Sequence, residues 1–265
     1  MTDVWTHIEA KKAKASLRVQ TLGSFQVERA GEVLTAKDFG RDKTVQLLQF
    51  FITARHRKAL RKEQIMDRLW NEDSDSGDPH FKVALHGITK ILEPDKKSHA
   101  EAHFILRQGL TYQLNLADIW IDADAVEAYI ALGNQYLNEE SKTAEFAYRA
   151  AIDCYQGVYL PDRLYEDWSC DERERLQVLA LGAMISLSEL LLPENPMETI
   201  RLAQQALLID TAWEDAYRLQ MAAYFQKGNR PMAIKTYQQC AKVLDEEFGI
   251  EPLPETKQLL KRIMS

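Results

Sequence analysis

Little in this sequence suits covalent or metal chemistry. Its three cysteines, Cys154, Cys170 and Cys240, lie far apart, with no CxxC spacing and no clustered histidine, which argues against both a disulfide framework and a zinc site. They read as small buried hydrophobes in a reducing compartment. No run approaches the roughly 18 uncharged apolar residues that a membrane span needs. The leading MTDVWTHIEAKKAKA has no signal-peptide apolar core and reads as a short amphipathic or frayed lead-in. The expectation is a soluble, cytoplasmic protein. Phosphate-cradling GxxxxGK[ST] and GxGxxG, the metal motif HExxH and the nucleophile turn GxSxG are all missing. His80 and His86 have no Cys or carboxylate at ligand spacing and read as surface polar groups. Catalytic residues, metal ligands and cofactors are therefore expected to be none, and the protein is expected not to be an enzyme.

What is present describes an ordered chain. It has 265 residues, 46% of them hydrophobic, with only 11 Gly and 8 Pro, which suits two domains rather than one core or a disordered linker. The formal charge of −7 is unevenly spread. Residues 1–115 hold 19 Lys/Arg against 15 Asp/Glu, whereas residues 116–265 hold 14 against 25. Only the first part can face phosphate, so any nucleic-acid role belongs there.

The first domain is expected over 15–118. Leu17, Val19 and Thr21 alternate with Arg18 and Gln20, and past Gly23 the residues Phe25 and Val27 alternate with Gln26 and Glu28, which is strand patterning around a glycine turn. A third short strand covers Glu32 to Leu34. Helical patterns follow over Lys43 to Ala54 and Lys62 to Trp70, then an acidic loop, Asn71 to Asp78, with four acids in eight residues. Pro79 suits the first turn of a third helix capped by Asp78. In that helix Phe81, Leu85, Ile88 and Leu92 share one stripe, while Lys82, His86, Thr89 and Lys90 fall on the far side. The segments Phe104–Arg107 and Leu110–Leu114 around Gln108-Gly109 read as a hairpin. Strands, three helices and a hairpin are the order of a winged helix-turn-helix. In such a domain the third helix enters the major groove while the start of the second helix and the hairpin hold the backbone. The candidate DNA-binding residues are thus Lys82, His86, Thr89 and Lys90 on helix three, Arg61 and Lys62 before helix two, and Arg107 and Gln108 at the hairpin.

These segments, LRVQTLGSFQV, RDKTVQLLQFF, LRKEQIMDRLW, FKVALHGITKIL and LRQGLTYQLN, resemble the OmpR-type winged helix at the front of SARP-type bacterial transcriptional activators. Recognition helices of that family carry arginines in their second half. The matching positions here are Gly87, Thr89 and Lys90, so the resemblance implies that arginine at 87 or 89 would tighten DNA binding. It also implies that the acidic loop points toward RNA polymerase.

The second domain is expected over 119–265. Asp122 or Asp124 can cap a helix running to about Tyr136, and Ala144 to Tyr155 and Trp168 to Leu192 are further helical runs, the last stopped by PENP at 193–196. TIRLAQQA at 199–206 aligns with AIKTYQQC at 233–240, matching Ile200 with Ile234, Arg201 with Lys235, Gln204 with Gln238 and Gln205 with Gln239. The period is that of a tetratricopeptide helix pair, and stacked pairs form a solenoid suited to a protein partner. Trp168 and Tyr165 are expected to pack the first pair, and Glu172, Arg173, Glu174 and Arg175 to form a solvated charge ladder. Pro252 and Pro254 after Gly249 restart a last helix, Glu255 to Met264. GVYLPDRLYEDWSCDERERL at 157–176 and DEEFGIEPLPET at 245–256 resemble characteristic segments of the bacterial transcriptional activator domain that follows the winged helix in the same family.

The expected fold is mainly α: an N-terminal winged helix (α+β) followed by an all-α TPR-like helical repeat domain. The expected function is a DNA-binding transcriptional regulator, an activator by resemblance. Its expected partners are double-stranded DNA, RNA polymerase, a protein on the repeat domain and a second copy on repeated half-sites, with no membrane. The rival readings are a protein–protein adaptor whose winged helix has lost DNA binding, favoured by Gly87, Thr89 and the net charge, and a small-ligand sensor or enzyme using the solenoid groove.

Overall fold

A computed structural model describes residues 3–70, 74–98 and 100–265. The chain divides into two compact units that are not consecutive in sequence: residues 2–125 with 154–176, and residues 126–153 with 177–265. The sequence reading draws a boundary at 118/119; contacts across more than a hundred residues, invisible to local pattern, bring 154–176 to the first unit.

In the first unit α1 (Asp3–Lys14) precedes a four-stranded sheet of β1 (Leu17–Gln20), β2 (Gln26–Arg29) and β3 (Glu32–Thr35), completed by a late strand. The lead-in is thus a helix, anchored by buried Ile8 and by Lys12, whose Nζ sits 4.8 Å from the centre of the Trp120 ring. Next come α2 (Asp42–Thr53), the two-residue β4 (Leu60–Arg61), α3 (Lys62–Trp70), α4 (Ser74–Leu92) and the hairpin β5 (Ile105–Gln108) and β6 (Thr111–Leu114). Gly109 makes the hairpin turn at φ +62°. The late strand is β7 (Ile119–Ile121), parallel to β1 with Leu17 opposite Ile119 and Val19 opposite Ile121. Three residues carry too little periodicity to announce a strand; pairing with β1 makes it one.

Two corrections concern α4. It begins at Ser74, so Pro79 lies inside the helix and Asp78 is no N-cap. Proline removes one hydrogen bond there. Ser74 to Asp78 of the expected acidic loop are therefore helical, and Asn71 to Asp73 lie outside the described residues.

The core of this unit joins α2, α3, α4 and the hairpin. Leu47, Phe51, Ile65, Phe81 and Ile88 are each at most 1% exposed. The Phe81 ring meets Tyr112 edge-on at 5.0 Å and Trp70 at 6.2 Å. The opposite face of α2 is buried as well, although it carries Gln46 and Gln49. Residues 154–176 cover it: Gln46 Nε2 donates to Glu166 at 2.7 Å, Gln49 Nε2 to Asp162 at 2.9 Å, and Arg163 Nε to Gln49 Oε1 at 2.7 Å. Each buried amide on this face gains a polar partner, as burial demands, although Gln46 Oε1 accepts no hydrogen bond.

The same segment extends the sheet. Leu22 bridges Tyr159, Gly23 N–H donates to Val158, and Leu160 N–H donates to Thr21. Gly23, at φ +78°, has no room for a side chain, since a Cβ would stand 2.6 Å from the Gln156 carbonyl oxygen. Beneath lies Asp122, 4% exposed, whose carboxylate accepts from Thr21 N–H, Thr21 Oγ1, Leu22 N–H and Ala123 N–H at 2.6–2.9 Å. Burial nevertheless pushes this carboxyl above its ordinary range. Asp122 opens α5 (Asp122–Tyr136), as the sequence suggests, and also clamps the end of β1.

Three expectations about 157–176 are corrected. Trp168 packs on the winged-helix side, edge-on to Phe50 of α2 at 5.7 Å, with its Nε1 donating to Glu166. Tyr165 is 97% exposed and packs nothing. Glu172 and Arg173 are not solvated: Glu172 pairs with Arg55 at 2.8 Å, and Arg173 donates to the carbonyls of Tyr159, Arg163 and Leu164. Helical spacing makes a charge ladder look external, and only the fold back onto α2 gives these two charges buried partners.

The second unit holds the rest of α5, α6 (Ser141–Cys154), residues 177–191 of α7 (Asp167–Leu191), α8 (Pro196–Ile209), α9 (Glu214–Gln226), α10 (Arg230–Phe248) and α11 (Pro254–Met264). The helices α8 and α10 start at equivalent points of the repeat: Asn195 and Asn229 are their N-caps, each accepting an N–H three residues on, and each helix has proline in its first two positions. α9 packs on α8, α10 and α11. Clusters form around Leu181, Met184 and Ala203, and around Tyr217, Cys240 and Leu244. Gly133 lets α5 approach α6, since a Cβ would overlap the Tyr148 ring at 2.6 Å. Cys240 is buried as expected, and Cys154 and Cys170 are half-buried; all three are free thiols. Among the described residues, no helix is long and apolar enough to cross a membrane.

Candidate nucleic-acid interface

The candidate surface is built from α3, α4 and a three-stranded sheet of order β4-β6-β5. Lys62 N–H donates to Leu110 at 2.9 Å, tying the start of α3 to the hairpin, and Arg61 N–H donates to the Gln64 side chain. The register places Arg61, Thr111 and Gln108 in one row across the sheet, and Leu60, Tyr112 and Arg107 in the next. Adjacent rows face opposite sides, so Arg107 and Gln108, neighbours in sequence, do not share a face. Arg107 lies over the Tyr112 ring at 5.8 Å and its Nε donates to Gly109. Arg61, Arg107 and Gln108 are exposed and Lys62 is half-buried.

On α4, Lys82, His86 and Lys90 are exposed and Thr89 is half-buried. Thr89 Oγ1 donates to the Leu85 carbonyl at 3.0 Å, and the residue lines a groove of about 640 Å³ with Leu85, Ile105, Arg107, Gln108 and Tyr112. The helix and the wing thus flank one groove, whose lining also includes Lys96 and Glu101 from the connection between them. Gly87 turns away from this surface: its missing Cβ would lie 3.0 Å from Thr44 Cγ2 on α2. The expectation that arginine at 87 would add a DNA contact is therefore corrected. Position 87 is a helix-packing position, and its glycine permits close approach.

Sequence reasoning passed over Val83, 45% exposed on the outward side of α4. Its spacing from His86 and Lys90, three and seven residues, carried the signal; its apolar character hid it.

A family model for the bacterial transcriptional activator domain matches residues 121–264. The chain belongs to that family. The match begins at the last residue of β7 and runs through the repeats, so the family segment includes 154–176, which packs on α2. No curated protein sequence matches the chain. Among solved structures, EmbR of Mycobacterium tuberculosis, described as a complex with a low affinity phosphopeptide, aligns over 94% of this chain with a TM-score of 0.81 and 17% identity. The chain spans 65% of the length of that one. At this identity the likeness is one of fold, and it covers the winged helix together with the family's repeats.

Proposed function

We propose that this protein is a DNA-binding transcriptional regulator in which α4 enters the major groove and the β5–β6 hairpin straddles the neighbouring backbone. The observation that carries this reading is the exposed ridge of α4, bearing Lys82, His86 and Lys90, beside a hairpin that presents Arg107 and Gln108 across a continuous groove. Lys82, Lys90 and Arg107 contact phosphates on the groove side, Arg61 with Gln108 meets the backbone from the other face of the wing, Lys62 and Thr89 support them, and His86 faces base edges. Residues 15–118 form the DNA-binding part and 119–265 the activator part, with 154–176 serving the former. In the repeat unit Leu208, Phe248 and Ile250 are exposed apolar side chains, and stacked helix pairs suit a protein partner. RNA polymerase is the partner that activation requires, and pairing of two copies on repeated half-sites would add to the affinity of one sparsely charged module.

A mobility-shift titration of the full chain on duplexes from upstream of its own gene tests this. Four phosphate contacts give a slope of log K against log salt of about −3.6, at about −0.9 per contact. Folded protein that shifts no duplex at low salt would refute the proposal and leave the adaptor reading.

A further inference from the structure

The outward direction of α4 is set by its buried residues, Phe81, Ala84, Ile88 and Leu92. At about 100° per residue, Pro79, Val83, His86 and Lys90 lie opposite them within roughly 60° of one another. Val83 stands in the middle of this ridge, between a proline and two nitrogen-bearing side chains. It is a branched apolar residue at an exposed helical position, where valine is a poorer helix former than alanine or lysine. Its contribution to the unit's own core is small at 45% exposure. The chemistry that suits such a side chain at the floor of a major groove is the thymine 5-methyl group, the apolar feature that the base pairs display there.

We propose that Val83 reads the 5-methyl group of a thymine and is a specificity-determining residue of this regulator. The inference rests on α4 lying in the major groove. Val83 touches one methyl while His86 and Lys90, one and two turns further on, meet neighbouring polar edges or phosphates. The contact selects thymine over cytosine by its methyl and uses no hydrogen bond.

The experiment is selection of bound duplexes from a random library by the full chain, followed by titration of the selected duplex with each thymine replaced singly by uracil. Uracil keeps the pairing edge and removes only the methyl. One position should weaken wild-type binding about fourfold on replacement, the worth of one buried methyl group. Val83→Ala should bind thymine and uracil duplexes equally at that position, keep its response at every other position, and retain the wild-type salt slope. Alanine is well accommodated at an exposed helical site, so the variant should fold. Equal thymine-to-uracil ratios for Val83→Ala and wild type at every position would overturn the assignment while leaving DNA binding intact. Failure of the wild-type chain to select any duplex would instead overturn the DNA-binding reading, and this inference with it.

Discussion

Arg55 tests how residues 154–176 are held to the winged helix. Its side chain is fully buried, with Nε 2.5 Å from Asp124 Oδ1, Nη1 2.8 Å from Glu172 Oε1, and Nη1 donating to the Ile52 carbonyl at 3.1 Å. Burial works against its charge, but the two carboxylates outweigh burial and raise its pKa. Arg55→Met keeps much of the volume and removes the cation, leaving Asp124 and Glu172, whose side chains are 20% and 12% exposed, with only their outer partners, His56 at 3.1 Å and Arg175 at 2.8 Å. Breaking a buried ion pair from one side costs about 3–5 kcal/mol, and residual exposure of the acids places this case near 3. Urea unfolding followed by tryptophan fluorescence, with Trp120 and Trp168 both in this unit, reads the loss. Its pH dependence is diagnostic. In the wild type the Glu172 carboxyl is held below its ordinary range, by Arg175 and Arg55 against burial. Its stabilisation is therefore full above the unfolded carboxyl pKa and is lost as pH falls through the folded value. In the variant only Arg175 opposes burial at Glu172, so that pKa rises from its wild-type position, acid relieves the weakened pairing and the gap between the two proteins narrows from pH 7 to pH 4. A gap under about 1 kcal/mol at pH 7, or one that stays constant with pH, would refute the reasoning.

Gly87→Arg should lower the melting temperature of the first unit, by about 1–3 kcal/mol of overpacking against Thr44, and weaken DNA binding. Thr89→Arg, on the groove, should instead steepen the salt slope by about 0.9; tighter binding by Gly87→Arg would show that position 87 faces DNA after all. In the repeat unit, Asn195→Ala and Asn229→Ala should each cost about 1 kcal/mol in chemical denaturation, because both accept the same capping bond at equivalent repeat positions. A large difference between them would break the equivalence of the two helix pairs.

Much of the local structure was legible beforehand. Period-two alternation marked β1 and β2, a wide apolar face marked α2, and the paired Gln motifs marked α8 and α10 as repeats, because these patterns follow from the geometry of a single element. The hairpin turn was legible through Gly109. The candidate site was legible as a stripe, Lys82, His86 and Lys90, but not in detail. Gly87 entered as a position matching the family's arginines, and only the packing of α4 on α2 shows that Thr44 fills the space beside it; Val83 drew no reading.

The sequence by itself determined the order of elements, the period of the repeats, the uneven charge and the absence of catalytic motifs, all of which depend on residues near one another in the chain. The tertiary structure decided what covers each face. A strand of three residues exists because β1 lies beside it. Asp122 is a clamp because β1 ends over it. Gln46, Gln49 and Arg55 look like solvated residues in any local reading and are buried, and Glu172 and Arg173 are half-buried, because residues 154–176 return to α2 across more than a hundred positions. Pairing at that distance is paid for by many contacts acting together, and no short window of sequence contains them.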